Sequence, residues 1–521
     1  MKHVKTSRIF SLLALVLAVT MLLTLVGCGG GSDTDDNTPK TTTTTTTAAV
    51  GSTDDTTTTV GGEDATTTEG GETTTTTEGG SVPDPFGTAA PSKPTASKTT
   101  GGSGSNNKFD YKENTKALLK QVPSKLKGTK LTMLIWWTAG GDDINEAKIF
   151  EEQTGIKVKY ETASLDKYQT NLAAKVTSGN PPALAAIINE WYPQPITRGL
   201  MQPIKNTGWD YTDKKLYAHN MMDQFSYKGE HYGIALKGSN MSTFEVMFFN
   251  KKIMADDVKA GTDPYSLWKK GQWNWETALS LAKKYNKVND QDPSKSQYGM
   301  TLIYQNYWML SAGQDFVLSD INGLKNNIKS PLLLDAWYWA WDMINTDKVI
   351  PTIFSNQQQL FFNGQCSMLG GGSYFMQSES SHNYVPQNTK DAWSVVPFPS
   401  PKGQAAVAAC EGTVWGFPTN VKGNQLQAGM WFLRYFLDDY NCSSRDFYPQ
   451  DECWEIMSWM WNQKIQSFNS VGVLAYGGKW SAASIQYTVI DGAATRAAVK
   501  TNLESWHSEL DTNINKILTE L

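Results

Sequence analysis

Nineteen tryptophans stand in this chain, and every one of them lies beyond residue 106. An indole offers a wide apolar face with one N–H at its edge, so it either fills a core or stacks on a flat apolar ligand surface, such as the CH face of a pyranose ring. Spacing separates the two uses. Trp337 and Trp341 stand four apart in an apolar stretch, and Trp454 and Trp461 stand seven apart; both pairs read as core faces of helices. Trp273 and Trp275 bracket Asn274, a helix cap, and read as structural. The adjacent pair Trp136-Trp137 breaks this pattern, as do Trp191 beside Glu190 and Trp415 just after Glu411-Gly412. Tyr304, Tyr307 and Trp308 crowd into five residues. Tyr374 follows Gly370-Gly371-Gly372, where missing side chains let backbone and ligand approach closely.

Catalytic signatures are sparse by comparison. Glu190 and Glu411 could be imagined as the carboxylate pair of a glycosidase, which needs one group on each side of the scissile bond. His3, His219, His231, His382 and His507 are scattered, without metal-ligand spacing or a serine–histidine signature. Asn289-Asp290-Gln291-Asp292 lacks the spacing and the terminal bidentate glutamate of a calcium loop and reads as a solvated turn. Neither G-x-G-x-x-G nor G-x-x-x-x-G-K-[ST] occurs, which removes the main support for nucleotide binding. The five cysteines include no C-x-x-C. Cys442 and Cys453 fit either a disulfide in an oxidising compartment or two buried thiols. No cofactor and no metal is expected.

The elements that must position these residues alternate from Lys130 onward. Leu131–Trp136, Ile156–Glu161 and Ala183–Ile188 read as strands. Between them, Asp142 or Asp143 caps a helix that stops at Gly155, and Ser164 caps a second with Leu165, Tyr168, Leu172 and Val176 on one face. Strand–helix–strand–helix–strand predicts an α/β fold with a mostly parallel sheet flanked by helices. Ligands of such sheets bind at the carboxyl ends of the strands, here Trp136–Gly141 and Asn189–Trp191.

Ahead of this lie two segments of different chemistry. Residues 1–28 carry Lys2, Lys5 and Arg8, then an apolar run from Ile9 to Val26, and end in Gly27-Cys28. That ending resembles a bacterial lipobox, with Cys28 as the lipidated residue; an uncleaved apolar anchor would place the rest of the chain on the same side of the membrane. Lipidation adds more than one acyl chain, as stable anchoring requires. Residues 29–105 are threonine-rich and acidic, with runs such as Thr41–Thr47 and Thr73–Thr77. They lack the apolar surface that would offset the entropy of ordering, so a disordered tether spanning about 50 Å is expected. With 11 acidic and 3 basic residues this tether holds the excess negative charge. Residues 106–521 are then neutral overall within the chain's net −5, which argues against a nucleic-acid partner.

The order of short motifs over residues 128–440 resembles the family 1 extracellular solute-binding proteins, the sugar-binding subunits of ABC importers. The motifs are Lys130–Trp137, Phe150–Val158, Gly179-Asn180-Pro181-Pro182, Gly199–Ile204, His231-Tyr232-Gly233-Ile234, Phe249-Asn250-Lys251, Asn274-Trp275-Glu276, Phe362–Met368 and Val396-Pro397-Phe398-Pro399. The resemblance implies a two-lobed periplasmic-binding-protein-like fold, each lobe a mostly parallel sheet flanked by helices, joined by a hinge and closing over ligand. It places lobe 1 at about 128–239 and 394–437, and lobe 2 at about 240–393 and 438–521. It implies a sugar ligand for Glu190 and, less directly, Trp191. Tyr304, Tyr307 and Trp308 fall where family members carry cleft aromatics, and Tyr374 where they carry a stacking tryptophan. Trp136, Trp137 and Trp415 complete the candidate ligand-binding set. The implied partners are a carbohydrate, an oligosaccharide in particular, and the importer's membrane subunits. The implied state is a monomer, lipid-anchored at the outer face of the bacterial cytoplasmic membrane. The rival expectations are a secreted polysaccharide-active enzyme and a binder of a non-sugar solute such as a peptide on the same fold.

Overall fold

The computed structural model describes residues 117–519 apart from 240–241, 290, 352–356, 377–391, 448–449, 475–488 and 491. The apolar N-terminus with Cys28, the threonine-rich segment and the side chain of Cys442 lie outside the described residues.

Fourteen strands are described. In chain order they are β1 (Lys130–Ile135), β2 (Lys157–Thr162), β3 (Leu184–Ile188), β4 (Ser226–Tyr227), β5 (Glu230–His231), β6 (Thr243–Asn250) and β7 (Thr301–Leu302). These are followed by β8 (Val317–Asp320), β9 (Gly323–Asn326), β10 (Met368–Gly372), β11 (Trp393–Pro397), β12 (Val407–Glu411), β13 (Thr413–Gly416) and β14 (Lys464–Ser467).

The first lobe is built on a four-stranded sheet in the order β13-β3-β1-β2. The predicted strand–helix alternation is present. β1 pairs in parallel with β2 and β3, so the apolar strands are covered on both faces, and only β13 runs antiparallel. Helix α1 (Gly141–Thr154) ends where Gly155 takes the left-handed conformation at φ 72°. Its start differs from the expected aspartate cap. Gly140 is the cap, and the Asp143 carboxylate, three residues on, accepts a hydrogen bond from its backbone N–H at 2.8 Å. Helix α2 (Tyr168–Thr177) buries Tyr168, Leu172 and Val176 as their spacing predicts, after a single 3₁₀ turn that Ser164 precedes without a side-chain cap bond.

The second sheet has the order β14-β12-β6-β10-β7, with β11 also on β6. A mostly parallel sheet fits the first lobe but not this one. Its central strand β6 runs antiparallel to β10, β11 and β12, and only β7–β10 and β12–β14 are parallel. Side chains alternate across β6: Phe244, Val246 and Phe248 join one core, Met247 and Phe249 the other. That second core is closed by α3 (Trp275–Tyr285), α4 (Tyr307–Ser311), α5 (Pro331–Asn345), α8 (Arg496–Glu504) and α9 (His507–Thr519).

The crossing expected near Val396-Pro397 falls later in the chain. β11 and β12 both lie along β6, separated by an excursion from Phe398 to Ala406, so residues 394–411 belong to the second lobe. The chain changes sheets at Gly412, between β12 and β13. The neighbouring crossing precedes β6, and the two are tied together: Ser242 Oγ donates to the Thr413 carbonyl at 3.3 Å and accepts from the Thr413 N–H at 3.2 Å. Helix α6 (Gly423–Phe447) packs on β1, whereas α7 (Asp451–Met460) packs on β11, which puts the last crossing between these helices.

Candidate functional site

The carboxyl end of β1 delivers Trp136 and Trp137, both half-buried. Trp136 lies between two other tryptophans, stacked on Trp415 at 5.8 Å and edge-on to Trp191 at 5.8 Å. Trp191 in turn stacks on Tyr168 at 4.2 Å. The Tyr168 hydroxyl is pinned between two strands, donating to the Leu134 carbonyl and accepting from the Ala186 N–H, each at 2.9 Å. The Trp137 indole N–H donates to Asp143 Oδ2 at 3.1 Å, so the carboxylate that closes the start of α1 also orients this ring. The result is a preorganised aromatic platform whose rotamers are fixed from behind.

Glu190 follows β3 directly and Glu411 ends β12. The Asn189 N–H donates to the Gly412 carbonyl at 3.1 Å, which brings the two glutamates to the same end of the hinge. Gly412 has to be glycine for this approach: a Cβ there would stand 2.7 Å from the Phe225 ring and 2.8 Å from the Met221 sulfur. Both glutamates keep solvent-accessible surface, yet protein crowds their carboxyls, and that crowding raises them. Crowding by protein atoms around the carboxyl, then the charge of Glu190, pushes Glu411 up to about 7.

Beyond Glu411, on β6, stands Glu245, only 1% exposed. Burial first and the Glu411 charge second push its carboxyl well above the usual range. Neither of its oxygens has a completed hydrogen bond. The Tyr307 hydroxyl approaches and favours the charged form without closing a well-formed bond. Tyr304 is half-buried nearby, and burial followed by the charges of Glu411, Glu245 and Glu190 pushes its phenol up to about 12. Tyr304, on the second lobe, thus lies within electrostatic reach of carboxylates from both lobes. Tyr374, 38% exposed, follows β10, and its ring folds back over Gly372, where a Cβ would come within 2.4 Å of it.

The structure divides the sequence-predicted residues. Trp136, Trp137, Glu190, Tyr304 and Tyr374 retain solvent-accessible surface. Trp308 does not: it is fully buried, packed against Trp275, Trp339 and Phe398, and belongs to the second core. Trp415 at 0% and Trp191 at 4% exposure have no face left for a ligand and instead support Trp136. Tyr307 is 2% exposed, and burial first, then the charges of Glu245 and Glu411, raises its phenol well above the usual range. Glu245 was missed altogether, and Glu411 was met only as a conceivable catalytic partner. The sequence does carry a signal for the former, since one acidic residue interrupts the apolar run Phe244–Phe249.

Aromatic lining alone does not mark a site. A separate groove of about 520 Å³ on the second lobe is lined by Trp268, Trp273, Trp459 and the Phe398–Ala406 excursion, but it contains no carboxylate and none of the predicted site residues. Among the described residues no cluster of His, Cys, Asp and Glu has metal-binding geometry, and no helix is long and apolar enough to cross a membrane.

Two α/β lobes, tied where the chain crosses from one sheet to the other, define a two-lobed fold. The chain belongs to the bacterial extracellular solute-binding proteins, whose family pattern it matches over residues 146–442. Solved structures agree in fold. A cyclo/maltodextrin-binding protein complexed with maltotetraose superposes with a TM-score of 0.56 at 17% identity, covering 73% of this chain and 96% of its own. An extracellular solute-binding protein from Staphylococcus aureus in complex with maltose gives 0.54 at 14% identity, with 75% and 99% covered. The sugar-binding protein MalE of Xanthomonas citri gives 0.53 at 15% identity, with 75% and 98% covered. No curated protein matches the chain significantly.

Proposed function

We propose that this protein captures an oligosaccharide outside the cell and delivers it to the membrane subunits of an ABC importer. What supports this is residue chemistry: a braced tryptophan platform on one lobe, accessible tyrosines on the other, and two glutamates, Glu190 and Glu411, beside the crossing at Gly412. Sugar rings need that combination, an apolar face to stack on and fixed acceptors for the hydroxyls. Structural neighbours that were solved with maltotetraose and maltose support the sugar class. Cys28 is the proposed lipid anchor, and residues 29–105 the tether that lets the lobes reach the importer.

A glycan screen by thermal shift on the full chain tests the reading. A ligand at 100 times its Kd adds about 2.7 kcal/mol of stability. A response to peptides and to no glycan would overturn the sugar class. Tyr374→Ala should weaken glycan binding about two- to tenfold and leave the apo melting temperature in place.

A second reading, hydrolysis, draws on Glu411, whose raised carboxyl beside Glu190 fits an acid paired with a base. Recovery of the bound glycan intact after prolonged incubation separates binder from enzyme.

A further inference from the structure

The separate groove on the second lobe is built with more than aromatic rings. Its volume of about 520 Å³ lies within the range of small-ligand sites, about 300–1,000 Å³. Three half-buried indoles line it, and each comes from a different element: Trp268 from the short helix Pro264–Lys269, Trp273 from the turn before α3, and Trp459 from α7. Their orientations are fixed within the lobe. The Trp273 indole N–H donates to the Pro397 carbonyl at 2.8 Å, and Trp268 and Trp459 brace each other edge to face at 5.6 Å. Side-chain amides stand beside the rings. Asn274 Oδ1 accepts from the Thr277 N–H at 3.1 Å, which leaves its amide NH2 as a donor, and Gln404 is exposed. The groove carries no net charge, because Lys269, its one charged lining residue, pairs with Glu455.

We propose that this groove is a second carbohydrate-binding site, which takes a short uncharged oligosaccharide. The site goes beyond the function stated above, because every lining residue belongs to the second lobe and its occupancy needs nothing from the first. Indole faces suit the CH faces of pyranose rings, and the amides of Asn274 and Gln404 supply donors and acceptors for the hydroxyls. With Lys269 already paired, neither an acidic nor a basic ligand finds a free counter-charge there. A proline-rich peptide would also stack on the rings, but its prolines have no N–H to offer the Gln404 carbonyl. Two sites on one chain keep a long glycan concentrated near the first while the second holds it.

Fluorine NMR of the full chain labelled with 5-fluorotryptophan tests this, because single substitutions assign the signal of each indole. The probes are maltotriose, cellotriose and mannotriose, with hexaproline as the peptide control. At least one trisaccharide should move the Trp268, Trp273 and Trp459 signals saturably. Gln404→Ala should weaken that response about threefold, and Trp273→Ala should weaken it about tenfold at the two remaining groove indoles. Both variants should leave the response of Trp136 and Trp137 in place. If Trp273→Ala impairs folding, the exposed Gln404→Ala carries the test alone. Trisaccharides that move only Trp136 and Trp137 overturn the second site and leave the function proposed above standing. Movement of the groove signals by hexaproline and by no trisaccharide overturns the carbohydrate assignment. An equal loss at both sets of indoles in Gln404→Ala overturns the independence of the groove. If no signal responds to any trisaccharide, the second site falls together with the carbohydrate reading.

Discussion

Asp315 and Glu245 are both buried carboxylates of the second lobe, at 0% and 1% exposure, and burial is the first cause that raises each of them. Their surroundings differ. Asp315 accepts from the Ser470 N–H at 2.9 Å, from the Ser470 hydroxyl, and from the Phe316 N–H at 2.7 Å. Around it Gln224, Ser319 and Asn469 join the first lobe, the β8–β9 hairpin and the C-terminal region, with Asn469 Nδ2 donating to the Gln224 carbonyl at 2.5 Å and to Ser319 Oγ at 3.1 Å. Glu245 has only the approach of Tyr307 and the repulsion of Glu411. A buried carboxylate whose partners all come from the fold is part of the architecture. One whose partners are missing carries a free-energy cost that the fold does not offset.

The largest effect should come from the packed side of this contrast. Trp308→Ala removes a fully buried indole from the second core and should destabilise the fold by about 3–5 kcal/mol, read by chemical denaturation. A small loss of stability with a large loss of glycan affinity would restore Trp308 to the site. Next comes Asp315→Ala, which deletes a charge-assisted acceptor and strands the Ser470 N–H; a loss of about 2–3 kcal/mol is expected, with ligand affinity of the folded fraction unchanged. Glu245→Met should behave in the opposite way. It matches Met247 and Phe249 on the same face of β6, so stability should rise by about 1–2 kcal/mol. A drop in stability there would mean that Glu245 is satisfied after all, and the contrast with Asp315 would dissolve.

The smallest effect is a slope with pH. Glu411 and Asp315 are both held up to about 7, above the carboxylate range of about 4 in the unfolded chain. The folded state therefore binds more protons than the unfolded state between these limits, and their contribution to stability should decline as pH rises from about 4 to about 7, then level off. Glu411→Gln and Asp315→Asn should each flatten part of the decline in a series of denaturant melts. A slope in this window that neither substitution alters would contradict both assignments.

Much of the first lobe was legible in the residues. Apolar runs such as Leu131–Ile135 and Ala183–Ile188 suit strands covered on both faces, and Gly155 marks the stop of α1 because glycine adopts the left-handed turn without strain. The strand ends then located Trp136, Trp137 and Glu190. The second lobe was harder. Pro397 ends β11 and Pro399 follows it, and nothing local says that β11 and β12 both pair with one strand, β6, before the chain crosses at Gly412. Strand pairing is a long-range choice that residues on one strand do not encode alone.

By itself, the sequence determined the segment chemistry, the alternation of strands and helices in the first lobe, and the wealth of aromatics suited to a sugar. It could not separate Trp308, Trp415 and Trp191 from Trp136, Trp137 and Tyr374, because an aromatic ring suits a core and a ligand face equally well. Only the tertiary structure decided that, by covering the first three and leaving the others accessible. It also decided the ionisation of three glutamates. Glu190, Glu245 and Glu411 lie far apart along the chain; burial raises all three, and the charge of Glu190 adds to Glu411 and that of Glu411 to Glu245 only once the fold brings them near one another.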